Sequence, residues 1–155
     1  MSLRAVLVPL SLAMVVAAAS EGPPPGRRAP RGRVMLPSGR VLQVEVADTS
    51  ELRALGYMFR ERIGDDEGMV FLMQSLGFHP FWMKNCKVSL DITWLDEGWR
   101  VVHVERNVPP CAADPCPSYS PMQASQYVLE VRGGLAAREG VELGKSISFT
   151  LDPPP

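Results

Sequence analysis

The sequence predicts a mainly β domain with two short helices, an α+β fold built as a compact, mostly antiparallel, barrel-like sheet. Three observations lead there. Apolar and polar residues alternate over short runs, turn signals recur between the runs, and only two segments carry helix start or stop signals. The composition agrees: 46% hydrophobic, 21% charged, 13 Gly and 15 Pro describe a turn-rich globular chain. A length of 155 residues suits one domain.

Residues 34–36 and 40–47 flank Pro37-Ser38-Gly39. Leu42, Val44 and Val46 alternate with Gln43 and Glu45, so the pair reads as a hairpin with one buried face. Asp48 and Glu51 have capping-box spacing. A short helix follows to about Leu55, with Leu52 and Leu55 facing inward and Gly56 ending it. Asp65-Asp66-Glu67-Gly68 is a charged turn before a short apolar strand over 69–73, and Leu76-Gly77 is the next turn.

Residues 78–86 and 90–95 read as two strands around Lys87-Val88-Ser89. Asp96-Glu97-Gly98 then turns the chain into a strand over 100–106. Residues 108–121 hold five prolines and two cysteines and read as an irregular loop. A strand over 126–131, a helical turn over 135–139 ended by Gly140, and a strand over 146–151 complete the domain.

The N-terminus carries a different signal. Arg4 precedes an apolar run over 5–19 that ends in small residues, with Ala17 and Ala19 at the cleavage positions. That pattern predicts a secretory signal over 1–19, removed before Ser20, with cleavage before Glu21 as the alternative. A membrane span needs ~20 apolar residues, and this run is shorter and contains Pro9. Residues 20–33 read as a disordered Pro/Gly/Arg linker, 34–151 as the single domain, and 152–155 as a frayed tail. The mature chain is expected in the periplasm or outside the cell, not spanning a membrane. A net charge of -1 supplies no basic field for nucleic acid.

Several motifs occur together in a fixed order: Gly56-Tyr-Met-Phe-Arg60, Asp66-Glu-Gly-Met69, Phe81-Trp-Met-Lys-Asn85 and Leu90-Asp-Ile92. Asn107-Val-Pro-Pro-Cys111, Asp114-Pro-Cys-Pro117, Tyr127-Val-Leu-Glu130 and Gly140-Val-x-x-Gly144 follow. In these residues the chain resembles the bacterial and archaeal domain of unknown function numbered 192, over about residues 34–149. The resemblance implies an exported, small, mainly β domain and brings no established reaction with it. Cys86 stands where that family usually has Thr or another residue, and Lys145 where an Asp usually follows Gly144.

Three cysteines are an odd number. Cys111 and Cys116 share one Pro-rich loop of an exported chain, which predicts a local disulfide. Zinc pairs also use C-x₂₋₄-C spacing, but His79 and His103 form no matching pair, and the C-x-x-C of redox motifs is absent. Cys86 reads as a small buried hydrophobe. Met35, Met58, Met69, Met73, Met83 and Met122, with the two His residues, raise a copper-handling alternative. They form no clustered run, and most lie in apolar strands, so core packing accounts for them.

Residues 81–91 are the most informative stretch. Lys84, Asn85 and Asp91 are polar positions inside an apolar hairpin. One reading pairs Lys84 or Arg60 with Asp91 or Glu67 in a structural network. The other places Trp82, Lys84, Asn85 and Asp91, with Arg60 and Glu67, around a small pocket. An aromatic platform with convergent hydrogen-bonding groups suits a small polar or envelope-polymer ligand. Lys84 and Asp91 could serve acid–base chemistry, which makes an envelope-polymer enzyme the alternative to a binding module. No nucleophile elbow, zinc-protease, phosphate-loop or dinucleotide motif is present, so no catalytic residue, cofactor or metal is assigned.

Overall fold

A computed structural model describes residues 29–153. The signal segment over 1–19 and the first part of the linker lie outside the described residues. Nine strands and two helices occur among them: β1 (Arg31–Met35), β2 (Val41–Ala47), α1 (Ser50–Leu55), β3 (Glu67–Gly77), β4 (Phe81–Trp82), β5 (Leu90–Leu95), β6 (Val101–Val108), β7 (Ser118–Tyr119), β8 (Ser125–Arg132), α2 (Leu135–Arg138) and β9 (Ser148–Leu151). Among these residues no helix is long and apolar enough to cross a membrane.

Seven strands form one mixed sheet in the order β6-β5-β8-β3-β2-β1-β9, while β4 and β7 form a separate pair. The α+β class matches expectation, and antiparallel pairing dominates. The exception is β2 with β3, which run parallel in the register Glu45↔Met69. Parallel neighbours need a crossover, and α1 with the following strap over 56–66 supplies it.

The sheet does not close into the expected barrel. Its two edges meet only where Arg100 bridges Ser146. Trp99 reinforces that corner, stacking on Tyr127 at 4.1 Å and on Phe149 at 4.9 Å.

A core lies on each face. Val34, Leu42, Val44, Val70, Leu129 and Val131 pack on one face with Leu135 and Ala136 of α2. Met69, Phe71, Ile92, Trp94 and Val128 pack on the other with Tyr57, Ile63 and Met83. Strand β5 lies between the two and is buried at all six positions.

Several boundaries differ from the sequence reading. β1 begins at Arg31, inside the stretch read as linker. Gly32 explains the difference. A Cβ there would stand 2.7 Å from both the Phe149 ring and the Thr150 carbonyl, so a residue that looks like linker composition is the close-packing position of a ladder. The tail is tied as well: Asp152 donates its N–H to the Arg31 carbonyl, and its carboxylate meets Arg33 at 3.3 Å.

The strand expected over 78–86 shrinks to β4. Beyond it the chain turns, with Asn85 at φ 57. β3 continues through the turn expected at Leu76-Gly77, with an irregularity between Leu72 and Gly77. On α1 the cap is Thr49, whose hydroxyl accepts from the Leu52 N–H at 3.2 Å, rather than Asp48. Leu52 is partly buried, whereas Leu55, expected inside, is exposed because the six-residue helix ends there.

Cys111 and Cys116 form the disulfide, with Cα atoms 5.6 Å apart. The loop expected to be wholly irregular contains β7.

Limited trypsin digestion checks the N-terminal boundary. Peptide bonds after Arg31 and Arg33 are ladder bonds, so the resistant fragment should retain both arginines. A fragment beginning at Val34 would show that β1 does not hold.

Candidate functional site

Asp91 is fully buried on β5 and faces the first core. Its carboxylate accepts from the N–H groups of Asn107 at 2.6 Å, Gly134 at 3.0 Å and Ala136 at 2.7 Å. Gly134 is the N-cap of α2 and has no side chain to cap with. Asp91 therefore caps that helix from another strand, and favours its N-terminal dipole. Its role is structural.

Lys84 does not reach Asp91. Its ammonium lies 3.2 Å from both Asp114 oxygens and 5.7 Å from the centre of the Trp82 ring. Trp82 is 51% exposed. Trp82 and Lys84 thus share an open surface, and an acid–base pair of Lys84 with Asp91 has no geometric basis. Arg60 pairs with Glu45, not with Asp91 or Glu67, through bonds of 2.6 and 2.7 Å. Glu67 accepts from the Gly64 N–H at 2.9 Å. The expected network is therefore replaced by separate pairs.

Two tight turns clasp each other. Phe59 and Asn85 both have positive φ, and the Phe59 N–H donates to the Asn85 carbonyl at 2.8 Å. The Asn85 amide reaches the Met58 sulfur at 3.8 Å, and Lys87 pairs with Glu61. This clasp holds the strap over 56–61 across the second face of the sheet. Tyr57 plugs into that core, and Arg60 lies 5.0 Å from the centre of the Tyr57 ring.

The strap forms two concavities that share Glu45 and Arg60. The larger, about 260 Å³, is polar and is lined by Arg31, Gln43, Glu45, Tyr57, Arg60, Asp66 and Glu67, with Val44 and Gly68. The smaller, about 130 Å³, is mainly apolar and lies against α1. Of the six sequence candidates, Arg60 and Glu67 converge in the larger. Trp82, Lys84, Asn85 and Asp91 line neither.

Sequence reasoning missed Glu130. On β8 it stands between Met69 of β3 and Ile92 of β5, facing the second core. It is 4% exposed, and no hydrogen bond or nearby charge offsets the burial of its carboxyl. Burial pushes its carboxyl up to about 8. The signal was available: Glu130 lies two residues after Val128, on the same inward face of a strand.

Two neighbours respond to the same environment. The Tyr57 hydroxyl is pushed well up by burial and by the nearby Glu130 charge. Cys86 is free and half-buried, less enclosed than expected, and the same two causes push its thiol up to about 11. It is therefore a thiol rather than a nucleophilic thiolate at neutral pH. In contrast, the Arg60 hydrogen bonds hold the Glu45 carboxyl below its ordinary range.

His79 bonds the Ser75 carbonyl and His103 pairs with Glu105. Met69 and Met83 are core residues, and Met35 and Met122 are exposed. Both His rings thus already have protein partners, and Met69, Met73 and Met83 pack with apolar side chains in the second core. Cys111, Asp114 and Cys116 bring ligand atoms together, but the two sulfurs are bonded to each other.

Two variants separate the carboxylates. Asp91→Asn keeps the shape but sets an amide against three N–H donors. It should cost ~2–4 kcal/mol, read as a lower urea midpoint. Glu130 has the opposite sign. Its folded value of about 8 exceeds the ordinary 4.5, so between those values the unfolded chain releases a proton that the folded chain keeps. Stability should fall through that window by on the order of 3–5 kcal/mol, then level off. Glu130→Gln should flatten the slope and be the more stable protein at pH ~8. An unchanged pH profile in that variant would locate the titration elsewhere.

Comparison with known proteins agrees with this fold. A crystal structure of a protein of unknown function from Novosphingobium aromaticivorans DSM 12444 is similar, with a TM-score of 0.70 and 34% identity over 90% of this chain and 98% of that one. A Sinorhizobium meliloti 1021 protein, described as a candidate transcription regulator, also gives a TM-score of 0.70, at 27% identity over 80% and 98%. UPF0127 protein TK1120 of Thermococcus kodakarensis is 30% identical over 113 residues, 70% of this chain. The match spans 65% of that relative's length. The family model described as Uncharacterized ACR, COG1430 matches residues 34–149, and the chain belongs to that family, the domain of unknown function 192.

Proposed function

We propose that the chain is an exported, non-enzymatic binding module for a small polar ligand or a single unit of an envelope polymer. One observation carries the reading: the polar concavity of about 260 Å³ around Arg60. It is smaller than the ~300–1,000 Å³ of drug-sized sites, so it suits one small unit. Its charges have both signs: Arg31 and Arg60 face Glu45, Asp66 and Glu67. That mixture suits a neutral, hydroxyl-rich ligand that both donates and accepts hydrogen bonds.

Gln43 is exposed at the rim, and its side-chain amide has no protein partner among the described residues, so it is free for such a ligand. Export is supported by the apolar run over 5–19 and by the Cys111–Cys116 bond, which persists in oxidising compartments. The regulator description of the Sinorhizobium protein is not carried over, because a net charge of -1 favours no nucleic-acid contact.

The test uses the mature protein recovered from outside the cytoplasm, whose mass should correspond to a start at Ser20. Glucose and N-acetylglucosamine are titrated against its amide NMR spectrum. Shifts should centre on Gln43, Tyr57, Arg60 and Glu67, and Gln43→Ala should weaken binding by about tenfold. Shifts confined to the Trp82–Lys84 surface would move the site. Retention of residues 1–19 in the cytoplasm would overturn export, and absence of shifts with both sugars would overturn the ligand class.

A further inference from the structure

The smaller concavity has a separate logic. Ala29, Val46, Ala47, Leu52, Leu55, Gly56 and Met69 give it apolar walls; its charged members, Glu45 and Arg60, already bind each other through two bonds. Glu130 lies beside this cleft. It is the cross-strand neighbour of Met69, and its Oε2 is 3.9 Å from where a Cβ on Gly56 would stand. Glu45, Met69 and Glu130 form one row across β2, β3 and β8. Arg60 is bonded at the Glu45 end of that row, and Glu130 two strands away has no cation.

We propose that this cleft binds a compact organic ammonium ion. The charged head pairs with the Glu130 carboxylate, and the apolar stem lies against Leu52, Leu55 and Met69. A buried carboxylate must stay protonated, gain donors or gain a counter-ion. Around Glu130 the strap contributes Tyr57 and Gly56, the loop after β4 contributes Cys86, β3 contributes Met69 and Phe71, and β5 contributes Ile92; Arg60, over the Tyr57 ring, is already bonded to Glu45. None of these is a free cation. An ammonium head would supply the missing charge, and the walls suit a short alkyl stem. The volume of about 130 Å³ admits only a few heavy atoms.

This site is independent of the polar concavity in ligand class and in the residue that carries it. n-Butylammonium chloride is the probe, titrated into the mature chain with amide NMR detection at pH ~8.5 and ~6. Saturable shifts should appear at Gly56, Met69 and Glu130, with affinity at least about tenfold higher at the upper pH, where Glu130 ionises. Glu130→Gln should retain the folded spectrum and lose the saturable shifts. Leu55→Ala, on the exposed wall, should weaken binding several-fold and tests the stem independently of the carboxylate. Equal binding of n-butanol, equal affinity in Glu130→Gln, or no saturable shift in the parent would each overturn the proposal.

Discussion

The Asp91 carboxylate holds together the corner on which the rest of the sheet depends. Three N–H groups from different segments converge on it: Asn107 at the end of β6, Gly134 after β8, and Ala136 in α2. The glycines of that corner have distinct reasons. A Cβ on Gly133, just after β8, would stand 2.5 Å from the Asn107 amide oxygen and 3.0 Å from the Ser89 Cβ, so glycine lets the chain leaving β8 pass close to the end of β6 and the start of β5. Gly134 takes φ 84 to start the helix. The corner sets the direction in which β8 turns into α2, and so delivers Leu135 and Ala136 to the first core. It also holds β8 against β5 in the register Asp91↔Val131, which leaves Ile92 opposite Glu130.

Adjacent rungs of that ladder thus carry carboxylates on opposite faces, with opposite outcomes. Asp91 is saturated by backbone donors. Glu130, one rung away, has none, and its carboxyl is pushed up to about 8. Glu45, in the same cross-strand row as Glu130, is satisfied by a bidentate arginine and is held low. Backbone capping, ion pairing and protonation are three ways to keep an acid inside a fold. The first two satisfy the charge within the fold. The third leaves an acceptor whose charge can still be created, so Glu130 ties the stability of the fold to pH.

Local features were legible in the sequence. The alternation in β2, the stop at Gly56, the turn at Asp96-Glu97-Gly98 and the disulfide all rest on neighbours within a few residues. Asp91 stood out as a polar position inside an apolar hairpin, but its three N–H partners did not. Contacts over long sequence distances were not legible. Lys84 meets Asp114 thirty residues away, and β4 pairs with β7 across β5 and β6. The parallel pairing of β2 and β3 depends on a crossover whose hand and length no alternation reveals. Gly32 read as linker because its packing partner, Phe149, lies at the other end of the domain. Glu130 lay within a recognised motif, yet its significance depends on what is absent around it, and only three-dimensional packing shows that.

The same reasoning changes the meaning of the conspicuous motifs. The hairpin around Trp82, Lys84, Asn85 and Asp91 drew notice because its polar residues sit among apolar ones. Three of those polar groups now have identified protein partners: Lys84 with Asp114, Asn85 with Met58 and Phe59, and Asp91 with three N–H groups. Asn85 at positive φ closes a turn that accepts the Phe59 N–H, so its backbone matters as much as its amide. That clasp presses Tyr57 into the core and suspends Arg60 over the sheet. A buried group such as Asp91, whose carboxylate already accepts three N–H bonds, is a poor candidate for ligand contact, because a ligand would have to displace bonds already made. The groups left without such partners lie elsewhere: Gln43, exposed at the polar concavity, and Glu130, buried behind Gly56.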